Sequence, residues 1–408
     1  MPKSALLSFV KRHKCELLCF LLPMAAEAVL GLLRGYFIRL EPDAQLYYSI
    51  AENFRATGRF IQTARDAELM VVPFGVPLIL TILRMIGFTL PAIIAFQYLM
   101  LGAACLLLYK TERILFGKGG FAPLFYYIAL LRAHVGTSGI FVEHYFLLLM
   151  IVLLYLSVRT DMADRKRLTL MNLTGMYMAA CRPVLIPIYA AVIVYTLALV
   201  FRRRITVGRL AVLLLIPALV FGANTLVNYR ETGYPVVMDT YSGKDLYMAN
   251  NPDACDYFSE EEYAVCGDDL PEIQEDPGLN RLEKNKILRN AAVRWILDNF
   301  GTFQLRTIRR FAENFIWLWR YAHIPCFLGA MHGIAAGKKW RRWTVLTLVV
   351  NLIVAVITSM GIIEARYTIV VWPLASLHLA AIAYPTLDWL KSVFSLQAYQ
   401  KTDSRRET

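Results

Sequence analysis

Two carboxylates stand where an acid is expensive. Asp43 comes shortly after the apolar block Cys15 to Leu33, and Glu143 lies at the start of the block Ile140 to Val158. A carboxylate beside lipid is costly unless it is paired or used. Used, it can take a proton from an attacking hydroxyl, orient an acceptor or hold a divalent ion. Arg182 and Arg366 stand at the ends of other apolar blocks, and a guanidinium there can hold a phosphate. Each has a plainer role as well: Asp43 as a helix cap, Glu143 as a solvated helix-end charge, Arg182 reaching the surface on its long stem, Arg366 paired with Glu364. His134, His144, His323 and His332 show no metal-ligand spacing.

The elements that must position these residues follow from composition. Of the 408 residues 57% are apolar and 18% charged, and the net charge is +12. A soluble chain carries nearer a quarter charged residues. The mean hydropathy of +0.47 is that of a membrane protein. A spanning helix needs about 20 mostly apolar residues. Ten blocks qualify as candidates: Cys15 to Leu33, Pro91 to Tyr109, Phe121 to Val135, Ile140 to Val158, Leu168 to Cys181, Val184 to Phe201, Leu210 to Ala223, Phe315 to Ala336, Thr344 to Ile363 and Tyr367 to Tyr384. If all ten cross, the basic clusters fall in alternate loops: Lys3 to Lys14, Lys110 to Lys118, Arg159 to Arg167, Arg202 to Arg209, Lys338 to Arg342 and the tail from Lys391. Lys and Arg accumulate on the cytoplasmic side, so these clusters fix the orientation and are no nucleic-acid footprint.

An eleventh stretch, Val71 to Phe88, is broken by Arg84 and crowded by Pro73, Gly75 and Pro77. Counting it as a crossing would spoil the alternation, so it is expected to lie in the outer leaflet as a juxtamembrane helix. The first block could be read as a signal peptide ending at Ala26-Glu27-Ala28, but it runs on to Leu33, and an uncleaved helix is expected. Glu27, inside that helix, calls for a partner in the bundle interior.

The expected fold is an all-α polytopic membrane protein with about ten transmembrane helices, outer-leaflet juxtamembrane helices and a small exterior segment. An N-terminal module, residues 1–223, carries a first exterior loop, 34–88, and a second, 132–143. The exterior segment spans 224–314, the C-terminal helices 315–386 and a cytoplasmic tail 387–408. Leu46, Tyr47, Ile50 and Phe54 share one face of a helix starting at Asp43 and ending by Gly58. Residues 280–310 have helical periodicity with Gly301 as a stop, and are expected to rest on the membrane. Cys255 and Cys266, the pair within the exterior segment, are expected to form a disulfide, with two free thiols as the alternative. Cys15, Cys19, Cys105, Cys181 and Cys326 read as apolar packing residues. Trp317, Trp319, Trp340, Trp343 and Trp372 read as an aromatic belt.

In order along the chain, several short patterns resemble the GT-C superfamily of polyprenyl-phosphate-dependent glycosyltransferases, in the branch of the protein O-mannosyltransferases and the lipid A aminoarabinose transferase. They are Asp43, Tyr47 and Ala51 after the first helix; Glu143 after small residues in the second exterior loop; Arg182-Pro183; the stretch Asn228 to Gly233 followed by Ser242 to Pro252; and Arg366-Tyr367 opening the last helix. Many relatives carry a second acid after the first, where this chain has Ala44. Some have a lysine on the juxtamembrane helix that is missing around Pro73 to Pro77.

The resemblance implies transfer of a sugar from a polyprenyl-phosphate donor to a lipid, glycan or protein acceptor on the outer face of a bacterial cytoplasmic (inner) membrane, without nucleic acid. A sugar on a polyprenyl phosphate has a leaving group that needs no proton, so the protein must supply a base and positive charge. Asp43 is the expected base, with inversion at the anomeric carbon. Glu143 is expected to orient the acceptor, and a divalent ion such as Mg or Mn, if one is used, would sit between Asp43 and Glu143. Arg366, then Arg182, would hold the donor phosphate. Tyr47, Tyr48, His144 and Tyr367 would line the pocket. A transporter or flippase of lipid-linked sugars, with charges at mid-membrane and paired halves, and a non-catalytic scaffold are the competing readings.

Overall fold

The computed structural model describes residues 3–35, 42–60, 72–132, 142–159, 164–239, 242–254, 270–276, 278–313, 331, 338–360 and 369–403. Every element among them is helical: α1 Lys3–Arg34, α2 Pro42–Thr57, α3 Gly75–Met85, α4 Leu90–Phe116, α5 Phe121–Arg132, α6 Val142–Val158, α7 Asp164–Cys181, a 3-10 turn Pro183–Leu185, α8 Ile186–Phe201, α9 Val207–Thr232, α10 Ser242–Ala249, α11 Pro271–Gln274, α12 Arg281–Asp298, α13 Phe300–Glu313, α14 Lys338–Met360 and α15 Trp372–Asp403.

Among the described residues five helices are long and apolar enough to cross a membrane: Val10–Leu33, Leu90–Phe116, Pro183–Phe201, Val207–Thr232 and Ile369–Trp389. They coincide with five of the ten expected blocks. The others differ for physical reasons. α5, with 12 residues, and α6, with 17, are apolar but shorter. α7 carries Thr169, Asn172, Thr174 and Gly175. It can do so because it is largely enclosed by other helices: Met178, Ala179 and Ala180 are fully buried, and Asn172 donates to Leu168 O and to Thr196 Oγ1 of α8. The block Thr344 to Ile363 falls largely in α14, whose apolar part is Leu348–Ile357. Phe315 to Ala336 lies outside the described residues, apart from Met331. α3 has 11 residues, about 16 Å at 1.5 Å each, too short to cross.

Side-chain contacts sort the loops into two ends. Glu27 of α1 lies within electrostatic reach of Tyr98 of α4 and Tyr127 of α5, and Phe20 lies against Gly102, so α1 runs antiparallel to α4. A Cβ at Gly102 would come 2.6 Å from the Phe20 carbonyl, and glycine is what permits the two backbones to approach. Gln97 of α4 reaches Tyr145 of α6 at 3.4 Å, near the start of both helices, so these run in parallel. At the far end Lys118 pairs with Asp388 (2.7 Å), and Arg209 donates to Arg165 O and Thr169 Oγ1. The loops carrying the basic clusters Lys110 to Lys118, Arg159 to Arg167 and Arg202 to Arg209 therefore share one end, together with the start of α1. Charge parity had placed them there independently.

At that basic end Glu112, fully buried near the close of α4, accepts the backbone N–H groups of Gly120, Phe121 and Ala122 and the Tyr384 hydroxyl. One carboxylate thus caps α5 and ties α4, α5 and α15 together. Trp372 is buried in the main core rather than standing in an aromatic belt. Buried Cys105 and Cys181 pack as expected, whereas Cys15 is exposed. Cys326 lies outside the described residues.

Candidate functional site

The opposite end holds the candidate site. Pro183 bars helical backbone at the residue before it, and Arg182 leaves α7 extended, with φ −151° and ψ 129°. Its Nη2 donates to Glu143 Oε1 at 2.9 Å, and its guanidinium lies 5.8 Å from the centre of the Phe146 ring, one turn further along α6. Glu143 is 1% exposed, so it is no solvated helix-end charge, and Arg182 does not reach out to the surface. His144 and Tyr145 beside it are buried too.

α3 connects this pair to α2. Gly75, at the start of α3, lies so close to the end of α7 that a Cβ there would sit 2.7 Å from the Cys181 nitrogen, and Tyr177 donates its hydroxyl to Gly75 O. α3 packs in turn on α2, where Glu52 pairs with Arg84 and the Arg84 guanidinium lies 5.5 Å from the Tyr48 ring centre. Asp43 occupies the first turn of α2; its side chain is outside the described atoms. The neighbouring Ala44 and, two turns on, Ala51 are buried, and Tyr47 and Tyr48 pack against the main core. α2 starts and ends as expected, with Gly58 at φ +72° closing it. On the face shared by Leu46, Tyr47, Ile50 and Phe54, Ile50 is buried at 2% exposure and the other three are half-buried. Arg59, beyond α2, reaches Glu231 at the end of α9 (2.7 Å).

Arg366, Tyr367, Cys255 and Cys266 lie outside the described residues. Of the expected site residues, the structure therefore joins Glu143 directly to Arg182, sets His144 beside them, and places Tyr47 and Tyr48 on the helix that carries Asp43. Among the described residues no group of three or more His, Cys, Asp or Glu is placed to hold a metal ion.

The Glu52–Arg84 pair was not singled out from the sequence, although an arginine interrupting an apolar stretch was the signal for it. Its hydrogen bond from Arg84 holds the Glu52 carboxyl below the ordinary carboxylate range.

The exterior stretch Ser242 to Pro252 has structural work. Asn285 Oδ1 accepts the N–H groups of Gly243 and Lys244, capping α10. Asn250 donates to Leu246 O and to Met360 O at the end of α14. Tyr247, Ile273, Leu288 and Ala292 form a small separate core. α12 begins with a capping box between Asn280 and Glu283 and ends at Asn299, so the break precedes the expected stop; Gly301 lies in the first turn of α13.

The fold and the site together define a membrane-protein-like chain, helical throughout its described elements, with a buried acid paired to a largely enclosed arginine at one end of its bundle. Comparison with protein-family models, with curated proteins and with solved structures finds no match.

Proposed function

We propose that this protein is an integral-membrane glycosyltransferase of the GT-C type, set in a bacterial cytoplasmic membrane with about ten crossings and its site on the outer face. It moves a sugar from a polyprenyl-phosphate donor to a lipid, glycan or protein acceptor with inversion. The observation that carries this reading is the Glu143–Arg182 pair, buried at the end opposite the basic loops and linked through Gly75 and α3 to the helix of Asp43. Burying a charge pair costs several kcal/mol per ion in desolvation, which a merely structural contact recovers only in part.

In this reading Asp43 takes the proton from the acceptor hydroxyl as it attacks the anomeric carbon from the face opposite the phosphate. Arg182, oriented by Glu143, and Arg366 stabilise the charge on the departing phosphate. A Mg or Mn ion, where one is required, would be held by Asp43 together with Glu143. Tyr47, Tyr48, His144 and Tyr367 line the pocket, and a Cys255–Cys266 disulfide closes the exterior segment.

Membranes containing the protein, supplied with polyprenyl-phosphate sugars and a panel of acceptors, should show transfer that is lost in Asp43→Asn. Full transfer in that variant removes Asp43 as the base; no transfer by the unaltered protein with any acceptor removes the enzyme reading. One observation favours transport instead: Glu27 is buried inside α1, a position suited to a carboxylate on a transport route. Carrier-sugar crossing sealed vesicles without transfer would support that alternative.

A further inference from the structure

Helix α13 turns two of its arginines inward and much of its apolar surface outward. Arg310 is buried and donates to Ala249 O (2.8 Å), and Arg306 donates to Asn251 O (2.8 Å) with its guanidinium 4.7 Å from the Trp295 ring centre, whereas Arg309 is exposed. The apolar side chains face outward, with Phe300 53%, Leu305 49% and Ile308 64% exposed. The end of α12 continues this surface through Val293 and Leu297, the latter 71% exposed. In water an amphipathic helix turns its apolar stripe to the core and its charges out. The reverse arrangement is stable where the surroundings are less polar than the protein's own carbonyl groups.

The charges around this tip name the surroundings. Lys286, Arg289, Arg294 and Arg309 are exposed on the two helices, against Asp298 alone as an exposed acid among the side chains described there. An apolar tip ringed by cations complements a lipid surface with anionic headgroups, the side chains entering the acyl layer while the long basic stems reach back to phosphate. A bilayer is within reach, because α13 packs on α14 and Asn250 ties the adjoining turn to Met360 at that helix's end.

We propose that the α12–α13 elbow inserts Val293, Leu297, Phe300, Leu305 and Ile308 into the leaflet on the Glu143–Arg182 side, held by anionic phospholipid headgroups at Lys286, Arg289, Arg294 and Arg309. It does not depend on the transferase reading, because its test measures lipid contact and no turnover.

The test uses the full-length protein in vesicles of phosphatidylcholine alone or mixed equally with phosphatidylglycerol. The photo-reactive residue p-benzoyl-phenylalanine is introduced at position 297, at 308, or at the exposed control position 272. After irradiation, mass spectrometry should find lipid adducts at 297 and 308 several-fold above 272. With phosphatidylglycerol present, Arg289→Glu/Arg294→Glu should cut those adducts several-fold, and in phosphatidylcholine alone it should change them little. Adducts no higher than at 272 overturn the proposal, and so does cross-linking at 297 and 308 to a second copy of the chain. Insensitivity of the adducts to the charge reversal overturns the headgroup contact.

Discussion

At the residue scale, two ion pairs of similar chemistry differ in what holds them. Glu143 is buried and Arg182 is largely enclosed, with 12% of its side chain exposed, so removing one charge leaves the other poorly solvated. Glu143→Gln is expected to destabilise the protein by about 3–5 kcal/mol, read as a lowered unfolding temperature in detergent, and Glu143→Gln/Arg182→Met to recover much of that loss. A double variant as unstable as the single one would mean that Arg182 does more than neutralise Glu143. Glu52 and Arg84 are more open, and their contribution is smaller and dependent on pH. Because its carboxyl titrates lower folded than unfolded, Glu52 stabilises fully above the ordinary carboxylate value, and this is lost as pH falls through the depressed one. The stability gap between the unaltered protein and Glu52→Gln, measured by thermal unfolding across pH, should therefore close on acidification. The sequence marked Glu143 and Arg182 as separate candidates; their bond spans 39 positions and was not legible, since no local pattern couples them.

Elements were legible to the degree that one local pattern dominates them. The long apolar runs became the five long helices, Asp43 to Gly58 announced the limits of α2 through cap and turn chemistry, and helical periodicity announced the start of α12 near Asn280. α7 is less apolar than the five long helices because burial among helices relaxes the need for an apolar surface, and on α2 periodicity identifies an apolar stripe but not what covers it. The seam between α3 and α7 hangs on Gly75, where added atoms would meet the backbone of Ala180 and Cys181 as well as the Cys181 sulfur. Gly75→Ala should cost roughly 1–3 kcal/mol as overpacking, seen in thermal unfolding, and should weaken transfer by shifting α3 against Arg182. Unchanged stability would show that the seam yields more readily than its geometry suggests.

For the whole molecule, the two-ended arrangement predicts opposite accessibility. In a Cys15→Ser background, Lys118→Cys and Arg59→Cys should react with a membrane-impermeant thiol reagent from opposite sides of sealed vesicles; labelling from one side only would break the orientation. The gathering of the basic loops at one end was legible in the sequence alone. The cost of an apolar or basic residue in lipid, interface or water is a property of each segment, and adding such costs along the chain requires no knowledge of neighbours. Tertiary structure alone decided which charges meet: Glu143 with Arg182, Glu52 with Arg84, Glu112 with the start of α5 and Tyr384, and the inward turn of Arg306 and Arg310. A buried charge must find its counterpart wherever packing brings one within about 3 Å, and that proximity comes from the close approach of distant helices at Gly75 and Gly102 rather than from spacing along the chain.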